Sequence, residues 1–187
     1  MTPETDGASA GGSSGAPSDA SGEAANGMPG GAGPSAPPGA APDAGPGADT
    51  VVAKNANEQL VLDFFVALSS GDLEALRPFL TERSVWQPMV RDIPGAGEYT
   101  GNQIIDDFLA PVRGMFRPGD PKVFVKALLS DGDMVAVESR SLGRLPDGRD
   151  YRNDYAWIFR LRDGKIARLH EYMDSHYVAR LFGMDAA

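Results

Sequence analysis

Residues 145–174 read LPDGRDYRNDYAWIFRLRDGKIARLHEYMD. Polar and apolar positions alternate on both sides of the turn sequence RDG, and a second turn sequence, PDG, opens the stretch. Alternation with period two marks strands, and glycine turns of this kind join antiparallel neighbours. The stretch is therefore a hairpin entered from another hairpin. Two further runs lie upstream, KVFVKALLSDGD (122–133) and MVAVESRSLGR (134–144), separated by DGD. Together they predict consecutive antiparallel strands. SHYVARLFG (175–183) predicts a short closing helix with Asp174 as its N-cap.

Working outward, NANEQLVLDFFVALSSGDLEALRPFLT (55–81) reads as two helices. Leu60, Phe64, Phe65 and Leu68 recur at helical spacing, Gly71 breaks the run, and Asp72 caps a second helix carrying Ala75, Leu76 and Phe79. SVWQPMV (84–90) is a short strand, RDIPGAGEYTG (91–101) a loop, and GNQIIDDFLAPVRGMF (101–116) a third helix bent or ended by Pro111. Helices come first and antiparallel strands last, so the class is α+β. A curved antiparallel sheet wrapped on N-terminal helices would leave a cone-shaped cavity.

The first 50 residues are a different material. They hold 12 of the 23 glycines, 8 of the 15 prolines, six of the 26 acids and none of the 17 bases. Such a segment cannot bury enough apolar surface to offset its ordering entropy. Residues 1–52 are expected to be a disordered acidic tail and 53–187 one folded domain. The net charge of −9 falls mostly on the tail, leaving −3 for the rest. An acidic chain is a poor partner for nucleic acid or an anionic membrane. Cysteine is absent and there are two histidines. Disulfides, thiolate sites and a three-histidine zinc site are thus excluded within one chain. No metal and no organic cofactor is expected. The N-terminus shows neither a basic region nor an apolar core of a secretory signal, and the expected location is the cytoplasm. Nucleotide-binding, zinc-protease and serine-hydrolase motifs do not occur.

ALSSGDLEALRPFLTERSVW (67–86) resembles the opening helix pair of the nuclear transport factor 2-like superfamily. The strand stretch 145–174 resembles the last strands of its SnoaL-like branch, which includes polyketide cyclases and relatives of limonene-epoxide hydrolase and ketosteroid isomerase. The resemblance spans about residues 55–183. It implies a nuclear transport factor 2-like (cystatin-like) α+β cone, an apolar pocket for a small molecule, and a homodimer through the outer face of the sheet.

Ketosteroid isomerases need a carboxylate base and two acidic donors to the enolate oxygen. By the resemblance those positions carry Gln87, Phe64, and Ala156 or Trp157, so that activity is rejected. The acid–arginine–acid set of the epoxide hydrolases falls on Glu138, Arg140 and Glu171, with the first two in swapped order. Trp86 and Pro88 stand near the positions that hold its water. The cyclases rely mainly on one last-strand acid, which falls on Glu171.

Glu138 and Arg140 share a strand face, and Glu171 is expected to join them with Leu169 and Met173. Two readings stand for this set: a site, or an ion network holding the sheet. Tyr151, Asn153, Tyr155 and Trp157 share a face expected to point at the cavity, as ligand wall or as ordinary sheet packing. Trp86, Gln87, Phe64 and Met173 complete the expected wall. His170 is adjacent to Glu171 and so points the other way. The leading expectation is a small apolar ligand with acid–base chemistry on Glu171. The alternatives are a non-catalytic binding or dimeric interaction module, and an epoxide hydrolase.

Overall fold

A computed structural model describes residues 51–184. The segment expected to be a disordered tail lies, up to residue 50, outside the described residues. Helix α1 (Ala56–Ser70) begins at Asn55, whose side-chain oxygen accepts from the Glu58 backbone N–H at 2.9 Å. It ends at Gly71, which sits in the left-handed region (φ 85°) as glycine C-caps do. Asp72 caps the next segment as expected, but Leu73–Phe79 winds as a 3-10 helix with Pro78 inside it.

After β1 (Val85–Pro88) the loop contains a two-residue strand, β2 (Tyr99–Thr100). The third helix opens as a π-helix, Ile104–Leu109, and continues as α2 (Ala110–Gly114). Two adjacent pairs, Ile104–Ile105 and Phe108–Leu109, are buried in the interior. Strands β3 (Lys122–Asp131), β4 (Met134–Arg144), β5 (Asp150–Arg162) and β6 (Lys165–Met173) form the expected meander, and α3 (Ser175–Leu181) closes the described chain. Asp174 caps α3 by accepting from the Tyr177 N–H at 2.9 Å.

Among the described residues, six strands form one open sheet in the order β2-β1-β6-β5-β4-β3. The class is α+β as expected, but the sheet is mixed rather than antiparallel. β1 runs parallel to β6, pairing Trp86 with Leu169 and Pro88 with Glu171. Turn signals reveal hairpins. They carry no information about which way a strand arriving from the other end of the chain will run.

One face of the sheet is covered by α1 and the 3-10 helix. The core there is aromatic: the Phe64 ring contacts Phe65, Phe79, Trp86 and Phe159 with centroids 5.5–5.9 Å apart, mostly edge-on. Phe64 is wholly buried. It belongs to this core and not to a ligand wall, because its face of α1 is already filled by those rings.

Candidate functional site

The register of the meander decides which side chains meet. Glu171 on β6 pairs with Trp157 on β5, which pairs with Val137 on β4. Paired residues share a face. Val135, Val137, Ser139 and Ser141 therefore point inward with Tyr151, Asn153, Tyr155, Trp157 and Glu171, and all of these but the half-buried Tyr155 are buried. Glu138 pairs with Ala156 and Arg140 with Asp154, on the outer face. The expected convergence of Glu138 and Arg140 with Glu171 does not occur.

Arg140 instead holds Asp154 through two bonds, at 2.8 and 3.1 Å, and Lys126 Nζ bridges Asp154 and Glu138 at 3.0 and 3.1 Å. Hydrogen bonds from Arg140, joined by Lys126, hold the Asp154 carboxyl down at about 2. The two acids are more than half exposed, whereas the Arg140 and Lys126 side chains are 18% and 27% exposed, their stems packed on the sheet. Arg140→Ala is expected to lower stability by about 1–3 kcal/mol, through lost charged hydrogen bonds and stem packing, and to leave ligand binding in the cavity unchanged. Urea melts and a binding titration check this, and weakened binding would contradict it. Gln87 also points outward, beside His170. Strand β1 buries Trp86 and Pro88 on the inner side, and Gln87 lies between them.

The inner face opens into a cavity of about 90 Å³. Trp86, Tyr151, Tyr155, Trp157, Glu171 and Met173 all line it. The two indoles form one inner wall, with centroids 6.0 Å apart, and do not fill the space. Trp157 donates to Ser139 Oγ at 2.7 Å and stacks on Tyr155 at 5.1 Å. Asn153 is buried behind this wall rather than on it. Its amide nitrogen donates to the Tyr151 hydroxyl and to the Asp174 carbonyl, each at 3.3 Å. Its amide oxygen is the one buried side-chain polar atom without a partner among the described residues.

Glu171 is 6% exposed, and its carboxylate accepts one hydrogen bond, from the Trp86 indole N–H at 2.7 Å. Burial pushes the carboxyl up to about 7, and the indole bond opposes that rise only in part. An ionised carboxylate in an apolar site is costly, so the proton is held longer. Beside it, the Tyr151 and Tyr155 hydroxyls hydrogen-bond to each other. Burial raises the Tyr151 phenol to about 12 and lifts the Tyr155 phenol well above its ordinary range. Both phenols stay protonated. The mutual bond uses one O–H, and Tyr155 also hydrogen-bonds with Ser141 in the cavity wall. A carboxyl that titrates near neutrality next to a phenolic donor can take a proton from carbon while the donor holds the oxygen that gains charge.

Arg113, on α2, also lines the cavity. It was not among the expected residues. A single cation within the apolar run LAPVRGMF was its only signal. Among the described residues, no group of three or more His, Asp or Glu side chains is placed to hold a metal ion. No helix among them is long and apolar enough to cross a membrane.

The SnoaL-like domain model matches residues 61–169. The chain belongs to the SnoaL-like domain family. Solved structures with similar folds include TerC, co-crystallised with polyporic acid, at 20% identity and a TM-score of 0.61, covering 69% of this chain and 99% of that one. An NTF2-like protein of unknown function from Burkholderia pseudomallei is 17% identical with a TM-score of 0.62, covering 71% and 99%. PrhC from Penicillium brasilianum is 16% identical with a TM-score of 0.59, covering 70% and 89%. Identities this low bear on the fold, which is the nuclear transport factor 2-like fold expected from the sequence. No curated protein matches this SnoaL-like domain.

Proposed function

We propose that this SnoaL-like domain binds a small, largely apolar molecule in its cavity and moves a proton at carbon, as cyclases and isomerases do, with Glu171 as the base. The observation that carries the reading is the Glu171 carboxyl itself. It lies in the cavity wall, out of water, with one donor, and titrates at about 7. A base works best when its pKa is near the working pH. The apolar wall supports a largely apolar ligand, and the phenol pair supplies a donor to a developing oxyanion. That TerC was co-crystallised with polyporic acid supports a small organic ligand for this fold. The epoxide-hydrolase alternative needs an arginine between two acids, and Arg140 and Glu138 stand on the other face.

A substrate-independent test uses 5-nitrobenzisoxazole. A base removes its C3 proton, the N–O bond breaks, and a coloured cyanophenolate is released. The domain is expected to accelerate this elimination, with a rate that rises through a midpoint near pH 7 as Glu171 ionises. No acceleration over buffer would remove the reading. Trp86→Phe is expected to shift the midpoint upward, because it deletes the hydrogen bond that favours the ionised form. A midpoint unmoved or lowered in that variant would show that the indole does not govern the carboxyl.

A further inference from the structure

The cavity is lined by a cation, Arg113, that has no carboxylate at ion-pair distance among the described residues; Asp120 acts on it only at longer range. Arg113 reaches the cavity from α2. Its Nη1 donates to the Pro121 carbonyl at 2.9 Å and its Nη2 to the Leu68 carbonyl. Leu68 lies in the last turn of α1, so the guanidinium faces the negative end of that helix. These bonds use two of five N–H donors. Among the described residues, Arg113 forms no ion pair with a carboxylate. Carbonyl oxygens solvate a guanidinium without cancelling its charge, and arginine does not deprotonate to escape burial. Much of the cavity wall that it shares is apolar, including Leu68, Val112, Met115, Phe116, Val123 and Trp157.

Glu171 is not its counter-ion. That carboxyl responds to burial and to the Trp86 indole, and Arg113 does not draw it down. Tyr155 lines the same cavity as both groups. The cavity wall thus carries the Arg113 cation, the stacked Tyr155–Trp157 pair and the Glu171 carboxyl.

We propose that the ligand is an organic anion whose acidic oxygens dock on the free donors of Arg113, with its apolar skeleton along Tyr155 and Trp157. This rests on the cavity being a ligand site, and it adds the chemical class. Planar oxyanions such as carboxylates and acidic enolates match the guanidinium fork, which takes two oxygens at once. A desolvated cation also gains more from such a partner than a surface one does.

The chain's two tryptophans, Trp86 and Trp157, both line the cavity, so intrinsic fluorescence reads its occupancy. The test is a titration at pH 6 with 4-phenylbutyrate and with its neutral amide, 4-phenylbutanamide. The unmodified protein is expected to bind the acid tighter by about tenfold or more, the worth of a hydrogen bond to a charged group. Arg113→Met, which keeps the side chain's length and removes its charge, is expected to abolish the preference while still binding the amide. Arg113→Lys keeps the charge without the fork, retains part of the preference, and serves where the methionine variant does not fold. Equal binding of acid and amide by the unmodified protein overturns the anion assignment and leaves the cavity reading intact. A preference that survives in Arg113→Met also overturns it. If neither probe binds, the cavity reading falls and this inference falls with it.

Discussion

Glu171→Gln is expected to slow the benzisoxazole elimination by at least about a hundredfold, the usual contribution of a positioned base. It is also expected to leave the folded protein more stable than the parent above pH 7. The two effects share one cause. In the unfolded chain the carboxyl loses its proton around the ordinary 4.5, while in the folded domain it keeps it until about 7. Between those values the folded state binds more protons, so stability falls as pH rises. The contribution is fully present below 4.5, is lost through 7, and is constant beyond. The 4.5-to-7 shift corresponds to about 3 kcal/mol. Glutamine has nearly the same shape and no charge, so the variant lacks this slope. Urea melts of both proteins at pH 5 and pH 8 measure it. The difference between variant and parent should grow by about 2–3 kcal/mol across that interval, part of the shift having already acted by pH 5. Parallel pH dependence would mean that the carboxyl is not held neutral by burial. An unchanged elimination rate would mean that it is not the base.

Phe64→Ala is expected to cost about 3–5 kcal/mol, the range for truncating a fully buried aromatic. Four rings surround Phe64 at 5.5–5.9 Å, and they come from α1, the 3-10 helix, β1 and β5. Such a cluster cannot collapse into the void without moving several elements. One of the four is Trp86, the donor to Glu171. The variant should therefore also bind cavity ligands less tightly. Chemical denaturation gives the stability loss, and a loss below about 1 kcal/mol would show that the ring is not the centre of this core.

Much of the fold was legible because its signals are local. The turns DGD, PDG and RDG and the alternation between them mark the meander, and the caps at Asp72 and Asp174 lie where expected. The parallel pairing of β1 with β6 was not legible, because it depends on contacts between distant segments. The π-helix at Ile104–Leu109 was not either, since IIDDFL fits an α-helical pattern equally well.

At the site, Glu171 follows from alternation within β6, with Leu169 and Met173 on its side. The misplacement of Glu138 and Arg140 is instructive. In MVAVESRS the strongest apolar positions are Val135 and Val137, which put Ser139 and Ser141 inward and their charged neighbours outward. The resemblance to a hydrolase motif outweighed that local pattern. Small buried serines are weak markers of an inner face, which made the error easy. Arg113 was missed for a different reason. Its place in the cavity wall depends on how α2 packs against α1 and the loop at Pro121, and a helix sequence does not reveal that.

The hydrogen bond between Trp86 and Glu171 joins positions 85 residues apart in the chain. It crosses the one parallel seam of the sheet, where the Met89 N–H also donates to the Glu171 carbonyl at 2.7 Å. The antiparallel hairpins β3–β6 hold together through contacts that are close in sequence, whereas this seam must close a long loop. Fluctuations that release β1 alone would return the carboxyl to water and to ordinary acidity while the hairpins stayed intact. The acidity of Glu171 is thereby tied to how firmly one short strand is held against β6.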